Sequence, residues 1–476
     1  MKAIKTKIIA TIGPSTNTYD SLKKLHKAGM NVARINMSHA THTDAQNIID
    51  LVHQINSEQS DDHGPIGLLL DTQGPEIRTG INQSDMDLTV GDIVNLTIRE
   101  DLDVETSSIQ INYKGLIKSV SKGSRISLDN GLINFKVLAK DKENLTCKVL
   151  DGGKLGSKRH VNLPGVRVDL PSITKKDRKD ILLAIKNNVS FIALSFVRSA
   201  QDINDLRDIL KKKKSSARII AKIEKPEAIL AIDEIIQNCD GLMVARGDLG
   251  VEIPCEQVPL IQKKLVFKAK KNRIPVIIAT QMMESMMNSL TPSRAEVNDV
   301  ANSIIDGADA VMLSGETSVG KFPVQVIKQI SKIIDSVEYS SLIKVPENPP
   351  TIKTNRYITK AICYHASHMA DEINAKAIMT LTNSGYTAFQ ISAWRPHSNI
   401  LVFTSNKRIL NRLSLLWGVK AFYYNKFSST DITIEEITEI ATKEGYISKG
   451  DFTISLAAMP IKAKGMVNTL RVNQVT

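Results

Sequence analysis

The chain has 476 residues, 42% of them hydrophobic and 24% charged, with a formal net charge of +12. That length exceeds a single ordinary core, so two or three domains are expected. No apolar run approaches the roughly 20 residues needed to span a bilayer, and aromatics, at 4%, do not interleave with the basic residues, so neither a membrane nor nucleic acid is expected as a partner.

From the amino terminus, the basic Met1–Lys7 leads into a short apolar run that stops at Gly13-Pro14. It reads as a first strand and not as a signal peptide. The runs Lys7–Ile12, Val32–Met37 and Ile66–Leu70 predict strands. Helical periodicity lies between them, with Thr18 and Thr43 as N-cap candidates. The same alternation returns at Phe191–Val197, Arg218–Ile223, Gly241–Ala245, Pro275–Ala279 and Ala310–Leu313. Eight such strands predict an α/β fold built on a (β/α)8 TIM barrel.

The gap from Leu70 to Phe191 has another texture. Leu88–Ile98, Ser108–Tyr113, Arg125–Leu128 and Leu132–Leu138 are short alternating runs separated by turn signals such as Asp129-Asn130-Gly131. Residues 80–163 are therefore expected to form an all-β, β-barrel lid inserted after the third strand, over the face where barrel sites lie. The barrel itself would occupy 1–79 and 164–345. After the stiff Pro346-Glu347-Asn348-Pro349-Pro350 come Ala377–Leu381, Asn399–Phe403, Val419–Tyr424 and Phe452–Leu456. These predict a separate α/β open-sheet domain over 346–476.

Cys147, Cys239, Cys255 and Cys363 lie far apart without a CxxC pair, which argues against zinc and disulfides and for a reducing, cytoplasmic setting. Lys211–Lys214 reads as the solvated end of a helix starting near Gln201, where lysines suit the dipole.

The chemistry is concentrated at strand ends. Arg34-Ile35-Asn36-Met37-Ser38-His39 follows the second strand, and Asp71-Thr72-Gln73-Gly74-Pro75-Glu76-Ile77-Arg78 the third. The fifth ends in Lys222 and Glu224, which are two apart and so share a face. The sixth ends in Arg246-Gly247-Asp248, the seventh in Thr280-Gln281 and the eighth in Ser314-Gly315-Glu316-Thr317. So many charges on one cavity would be costly to bury without a metal and anionic ligands. The oxygens of Glu224 and Asp248 favour Mg2+ or Mn2+. Asn36, Ser38, Asp71 and the Thr72 carbonyl could surround a monovalent cation. Arg34, Arg78 and Lys222 supply the charge that phosphoryl transfer requires. There is no Walker loop and no protein-kinase motif.

These motifs, together with Ala10–Ser15, Ile220–Glu224, Met243–Gly250, Ala279–Met286 and Met312–Thr317, resemble the pyruvate kinase family from residue 5 to the carboxyl terminus, lid included. The resemblance implies phosphoryl transfer from phosphoenolpyruvate to ADP, giving ATP and pyruvate in the final step of glycolysis. It implies that Lys222, with Arg34 and Arg78, stabilises the phosphoryl group, and that Glu224 and Asp248 bind Mg2+. Gly247, Asp248 and Thr280 would hold the substrate carboxylate, and Thr280 with water would protonate enolpyruvate. Asn36, Ser38, Asp71 and Thr72 would bind K+, consistent with Glu76, since relatives with Lys at that place supply the charge themselves. ADP would enter beside Asn36, His39, Arg78 and Lys176. Arg246 is expected as an ion pair that shapes its loop, with a subunit contact left open.

The third domain resembles the family's regulatory domain, and Thr382, Ser384 and Thr387 would cradle the phosphate of an allosteric effector. Its closing segment, Ala457-Ala458-Met459-Pro460-Ile461-Lys462-Ala463-Lys464-Gly465, departs from the Gly-rich loop of members activated by fructose 1,6-bisphosphate and leaves a sugar monophosphate or AMP open. A homotetramer is implied by the family alone. Two other readings compete with this one. A pyruvate-enolate lyase or aldolase would lack the lid and third domain. A catalytically silent effector-binding relative would have lost Lys222, Glu224 or Asp248.

Overall fold

Eight apolar runs pair edge to edge as β1 (Lys7–Thr11), β2 (Val32–Asn36), β3 (Gly67–Asp71), β4 (Phe191–Leu194), β5 (Arg218–Ile223), β6 (Gly241–Ala245), β7 (Val276–Ala279) and β8 (Ala310–Leu313). They close into an all-parallel barrel in the order β1-β8-β7-β6-β5-β4-β3-β2. The structure is a computed structural model that describes residues 4–58, 64–81, 84–99, 108–129, 131–166, 168–352, 356–426, 429–459 and 466–476. The expected (β/α)8 architecture is present, and α-helices cover the outer face of the strands.

Alternation within the strands decides what reaches the site. Ile9, Val32, Leu69, Ala193 and Ile220 form part of one buried cluster inside the barrel. In a strand, the residue two further on points the same way. That rule puts Thr11, Arg34, Asp71, Ser195 and Lys222 in the next layer up, at the strands' C-terminal ends.

Capping sets the helix boundaries. The helix Tyr19–Ala28 starts at Thr18, whose side chain accepts from Ser21 N–H, and stops at Gly29 with φ 126°, a conformation that glycine adopts readily. The second helix, His42–Glu58, corrects the sequence expectation at Thr43. Thr41 caps it instead: Thr41 Oγ1 accepts from Asp44 N–H at 3.2 Å, and Asp44 Oδ2 accepts from Thr41 N–H at 3.0 Å, a reciprocal box that Thr43, already in the first turn, cannot make. The lysine run does end a helix, Ala200–Lys212.

The segment between β3 and β4 forms a six-stranded sheet and a two-stranded ribbon. The run Leu88–Ile98 splits into Met86–Leu88 and Ile93–Thr97 around Gly91, whose φ is 99°. Isolated bridges from Arg78 to His160 and from Thr79 to Ile111 tie the sheet to the entering chain. Of the expected turn at 129–131, Asn130 lies outside the described residues.

The carboxyl-terminal sheet has five strands in the order Val419–Tyr423, Asn399–Thr404, Ala377–Leu381, Phe452–Ala457 and Thr469–Gln474. The last is antiparallel to its neighbour. This unit seals the barrel at the end opposite the site, and Leu415, 1% exposed, joins the cluster inside the barrel. Arg395 donates to the Gly307 and Ala308 carbonyls, both at 2.7 Å, and meets Asp309 at 3.2 Å. Lys7 Nζ donates to the Val419 carbonyl at 3.0 Å.

Candidate active site

The layer above the apolar plug is a network of opposite charges. Arg34 donates from Nε to Asp71 Oδ2 at 2.8 Å and from Nη1 to Thr11 Oγ1 at 2.8 Å. Lys222 Nζ lies 3.1 Å from Asp71 Oδ1 and 2.8 Å from Glu224 Oε1, and donates to Ser195 Oγ at 2.7 Å. Burial works against the charge on Lys222, but the carboxylates of Asp71, Glu224 and Asp248 outweigh it and hold the ammonium's pKa above its ordinary value. Burial also opposes the charge on Asp71, yet Lys222 and Arg34 pull its carboxyl below the usual range.

Glu224 and Asp248 differ from Asp71. Burial raises Glu224 to about 7, partly offset by Lys222 and reinforced by Asp248. Burial likewise pushes Asp248 up, against Lys222 and with Glu76 and Asp71 adding to the push. Glu224 Oε2 accepts from Phe196 N–H at 2.5 Å. Its Oε1 is buried and lies 2.8 Å from Lys222 Nζ. Two neighbouring buried carboxylates, both pushed up by burial and by each other or nearby carboxylates, fit a divalent cation. Among the described residues no group of three or more His, Cys, Asp or Glu side chains is arranged to hold a metal ion. Two carboxylates with the remaining positions left to substrate and water is the pattern Mg2+ favours.

The oxygens expected around K+ lie on neighbouring strand ends, since Asn36 pairs with Asp71 in register. Asn36 Oδ1 accepts from Ser38 N–H at 3.2 Å, and the Thr72 carbonyl accepts from Ser195 Oγ at 2.7 Å. An all-oxygen set of this kind suits a hard monovalent cation.

At the end of β7, Thr280 and Gln281 have φ of 69° and 54°. Two successive left-handed residues, one of them β-branched, mark stored strain at a site. Arg246 holds them in place. It donates to the Thr280 carbonyl at 2.7 Å and pairs with Asp299 at 2.7 Å, so it shapes the loop as expected. Thr280 Oγ1 accepts from Gly247 N–H at 2.8 Å and donates to the Ala279 carbonyl at 2.6 Å.

Other residues sit apart from this network. Arg78 is bound by Glu76, with Nε at 2.7 Å from Oε2, and by the Lys158 carbonyl at 3.0 Å, at the root of the inserted sheet. Lys176 Nζ donates to the Met37 carbonyl at 2.5 Å and meets Asp180 at 3.1 Å; His39 is exposed. Glu316 is buried, and its oxygens accept from the N–H groups of Met283 and Ser314 at 3.2 and 2.7 Å. The eighth strand end thus serves the backbone and not the cavity. In the third unit Thr382 Oγ1 accepts from Gly385 N–H at 2.9 Å, Ser384 Oγ from Tyr386 N–H at 3.4 Å, and Thr387 is buried. Residues 460–465 of the closing segment lie outside the described residues.

Sequence reasoning missed Thr11 and Ser195. Ser195 lay inside the run Phe191–Val197, which read as one strand. The strand stops at Leu194, and Phe196 has φ 53°. A lone hydroxyl inside that run, in phase with Ala193, was the available signal.

Comparison with known proteins settles the family. A family model described as "Pyruvate kinase, barrel domain" matches residues 3–327, and one described as "Pyruvate kinase, alpha/beta domain" matches 360–473. The chain belongs to the pyruvate kinase family. It is 42% identical over 475 residues to a pyruvate kinase of Staphylococcus epidermidis, spanning 99% of this chain and 80% of that one. A pyruvate kinase of Geobacillus stearothermophilus is 41% identical over 476 residues, with the same coverage. A crystal structure of a pyruvate kinase from Cryptosporidium parvum superposes with a TM-score of 0.90 at 35% identity, covering 100% of this chain and 97% of that one. Among the described residues, no helix is long and apolar enough to cross a membrane.

Proposed function

We propose that this chain transfers the phosphoryl group of phosphoenolpyruvate to ADP, giving ATP and pyruvate. The observation that carries the reading is a protonated lysine at the centre of a buried, carboxylate-rich strand-end layer. Lys222 is kept charged by Asp71, Glu224 and Asp248, so it meets the phosphoryl oxygens as a cation throughout transfer. Arg34, anchored by Asp71 and Thr11, presents the rest of its guanidinium to the same group. Arg78 joins them if it exchanges Glu76 for substrate. The substrate carboxylate would lie against the amides of Gly247 and Asp248 and the Thr280 hydroxyl. Thr280, with water, would then deliver a proton to the carbon of enolpyruvate.

Glu224 and Asp248 would hold Mg2+ or Mn2+, which supplies positive charge to phosphoryl and enolate oxygens when bound. Asn36, Ser38, Asp71 and Thr72 would hold K+. ADP would enter past Asn36, His39, Arg78 and Lys176. We further propose the three-part division given above, with 80–163 as a lid, and regulation through Thr382, Ser384 and Thr387 by a phosphorylated effector. The Thr382 and Ser384 hydroxyls already accept from the Gly385 and Tyr386 N–H groups at a helix start, so the effector would have to compete with those contacts. A cytoplasmic homotetramer is proposed on the family alone.

The lyase or aldolase reading is disfavoured by the inserted sheet and the third unit. The silent-relative reading is disfavoured by intact Lys222, Glu224 and Asp248. Coupled detection of pyruvate from phosphoenolpyruvate in Mg2+, with and without ADP and K+, tests the proposal. ADP-dependent, K+-stimulated turnover is expected. No ADP-dependent turnover across a panel of sugar phosphates and AMP would end it.

A further inference from the structure

We propose that Ser195 is a positioning residue that couples the monovalent-cation loop to Lys222. The proposal rests on the functional reading above. Ser195 directly follows β4, which runs between the strands that carry Asp71 and Lys222. Its Oγ accepts from Lys222 Nζ at 2.7 Å and donates to the Thr72 carbonyl at 2.7 Å, with Asp71 Oδ1 at 3.3 Å. Ser195 N–H also donates to Thr72 Oγ1 at 3.1 Å. The residue is 2% exposed, so water does not compete for these bonds.

The direction of this chain is fixed by chemistry. An ammonium only donates, so the lone pairs of Ser195 face Lys222; the single hydroxyl proton has two acceptors, and the Thr72 carbonyl at 2.7 Å takes it over Asp71 Oδ1 at 3.3 Å. Asp71 and Glu224 hold Lys222 by charge. Ser195 holds it without adding a counter-charge, so the ammonium stays cationic, and one of its three contacts is exchanged for the phosphoryl group. A cation drawn to the Thr72 carbonyl changes the acceptor on which Ser195 is anchored. Its presence is therefore felt at Lys222 through one hydroxyl.

The test compares wild type, Ser195→Ala and Ser195→Thr. Turnover is measured against K+ concentration, together with thallium(I) binding to the substrate-free protein and Mn2+ binding by electron paramagnetic resonance. Expected for Ser195→Ala is a kcat lower by about 30- to 100-fold, the scale on which small misplacements cost rate. Its K+ stimulation should be blunted and its thallium(I) affinity changed, while Mn2+ affinity stays near wild type. Ser195→Thr, which keeps the hydroxyl, should recover most of kcat. Wild-type kcat and wild-type K+ response in Ser195→Ala would overturn the proposal. So would equal losses in the Ala and Thr variants, or unchanged thallium(I) binding. Absence of turnover in wild type would instead count against the functional reading.

Discussion

Lys222 Nζ lies 3.1 Å from Asp71 Oδ1 although their strands are not neighbours. Strand β4 runs between β3 and β5, and only the inward alternation shared by the three brings the two groups together. Asp71 is fully buried, and it is the shared anion of both Arg34 and Lys222. Removing its charge leaves two buried cations facing each other. Asp71→Asn should therefore cost about 3 kcal/mol or more, the usual price of breaking a buried ion pair from one side. A denaturant midpoint lower at unchanged slope would register this.

Arg246 is the clamp on a strained turn. Its guanidinium reaches the Thr280 carbonyl and Asp299 at once, a geometry a lysine cannot copy. Arg246→Lys should relax the left-handed pair Thr280–Gln281 and lower kcat by about tenfold or more through misplacement of the Thr280 hydroxyl. Steady-state kinetics of the variant checks this, and an unchanged kcat would contradict it.

Leu415 is a plug from the third unit in the barrel's interior cluster. Leu415→Ala should destabilise the chain by about 2–5 kcal/mol, as core truncations do. An effect below about 1 kcal/mol would mean that the barrel base closes without it.

The amino-terminal strand predicts a pH dependence. Burial, with Lys420 adding and Glu338 opposing, lowers Lys7 to about 7. Its ammonium donates to the Val419 carbonyl at 3.0 Å. With the folded value below the unfolded one, the unfolded state binds more protons between about pH 7 and 10. The burial cost is fully present below about pH 7 and is relieved as pH rises through that window. Lys7 should thus contribute a rise in stability of at most about 1.4 kcal/mol per pH unit there. Denaturation curves of wild type and Lys7→Met across that range check the contribution, which should be missing from the variant.

The sequence carried the barrel because each strand is an apolar run bounded by charge or turn residues, and the phase of Lys222 and Glu224 was readable from their spacing. What it hid has physical causes. Ser195 is a small polar residue inside an apolar run, where composition outweighs a single hydroxyl. The edge strand Thr469–Gln474 alternates partly exposed polar and apolar residues, so neither face reads as core. In the inserted sheet, Asn144–Asp151 carries lysine and aspartate on its outward face, and its strand character comes from pairing on both sides. Thr41 and Thr43 are indistinguishable as caps until Asp44 is seen to reach back. The roles proposed for Arg78 and Thr382 depend on ligands, and no spacing of residues in the sequence conveys those contacts.

The central claim is that Lys222 meets the phosphoryl group between donor and acceptor. Its most direct test is a rapid-quench measurement of label passing from radiolabelled phosphoenolpyruvate to ADP in Mg2+ and K+, by wild type and by Lys222→Met. Label should reach ATP with wild type and slow by about a thousandfold or more in the variant, the scale reported for loss of a cation at a phosphoryl group in flight, while Mn2+ still binds. Near-normal label transfer by Lys222→Met would contradict the account.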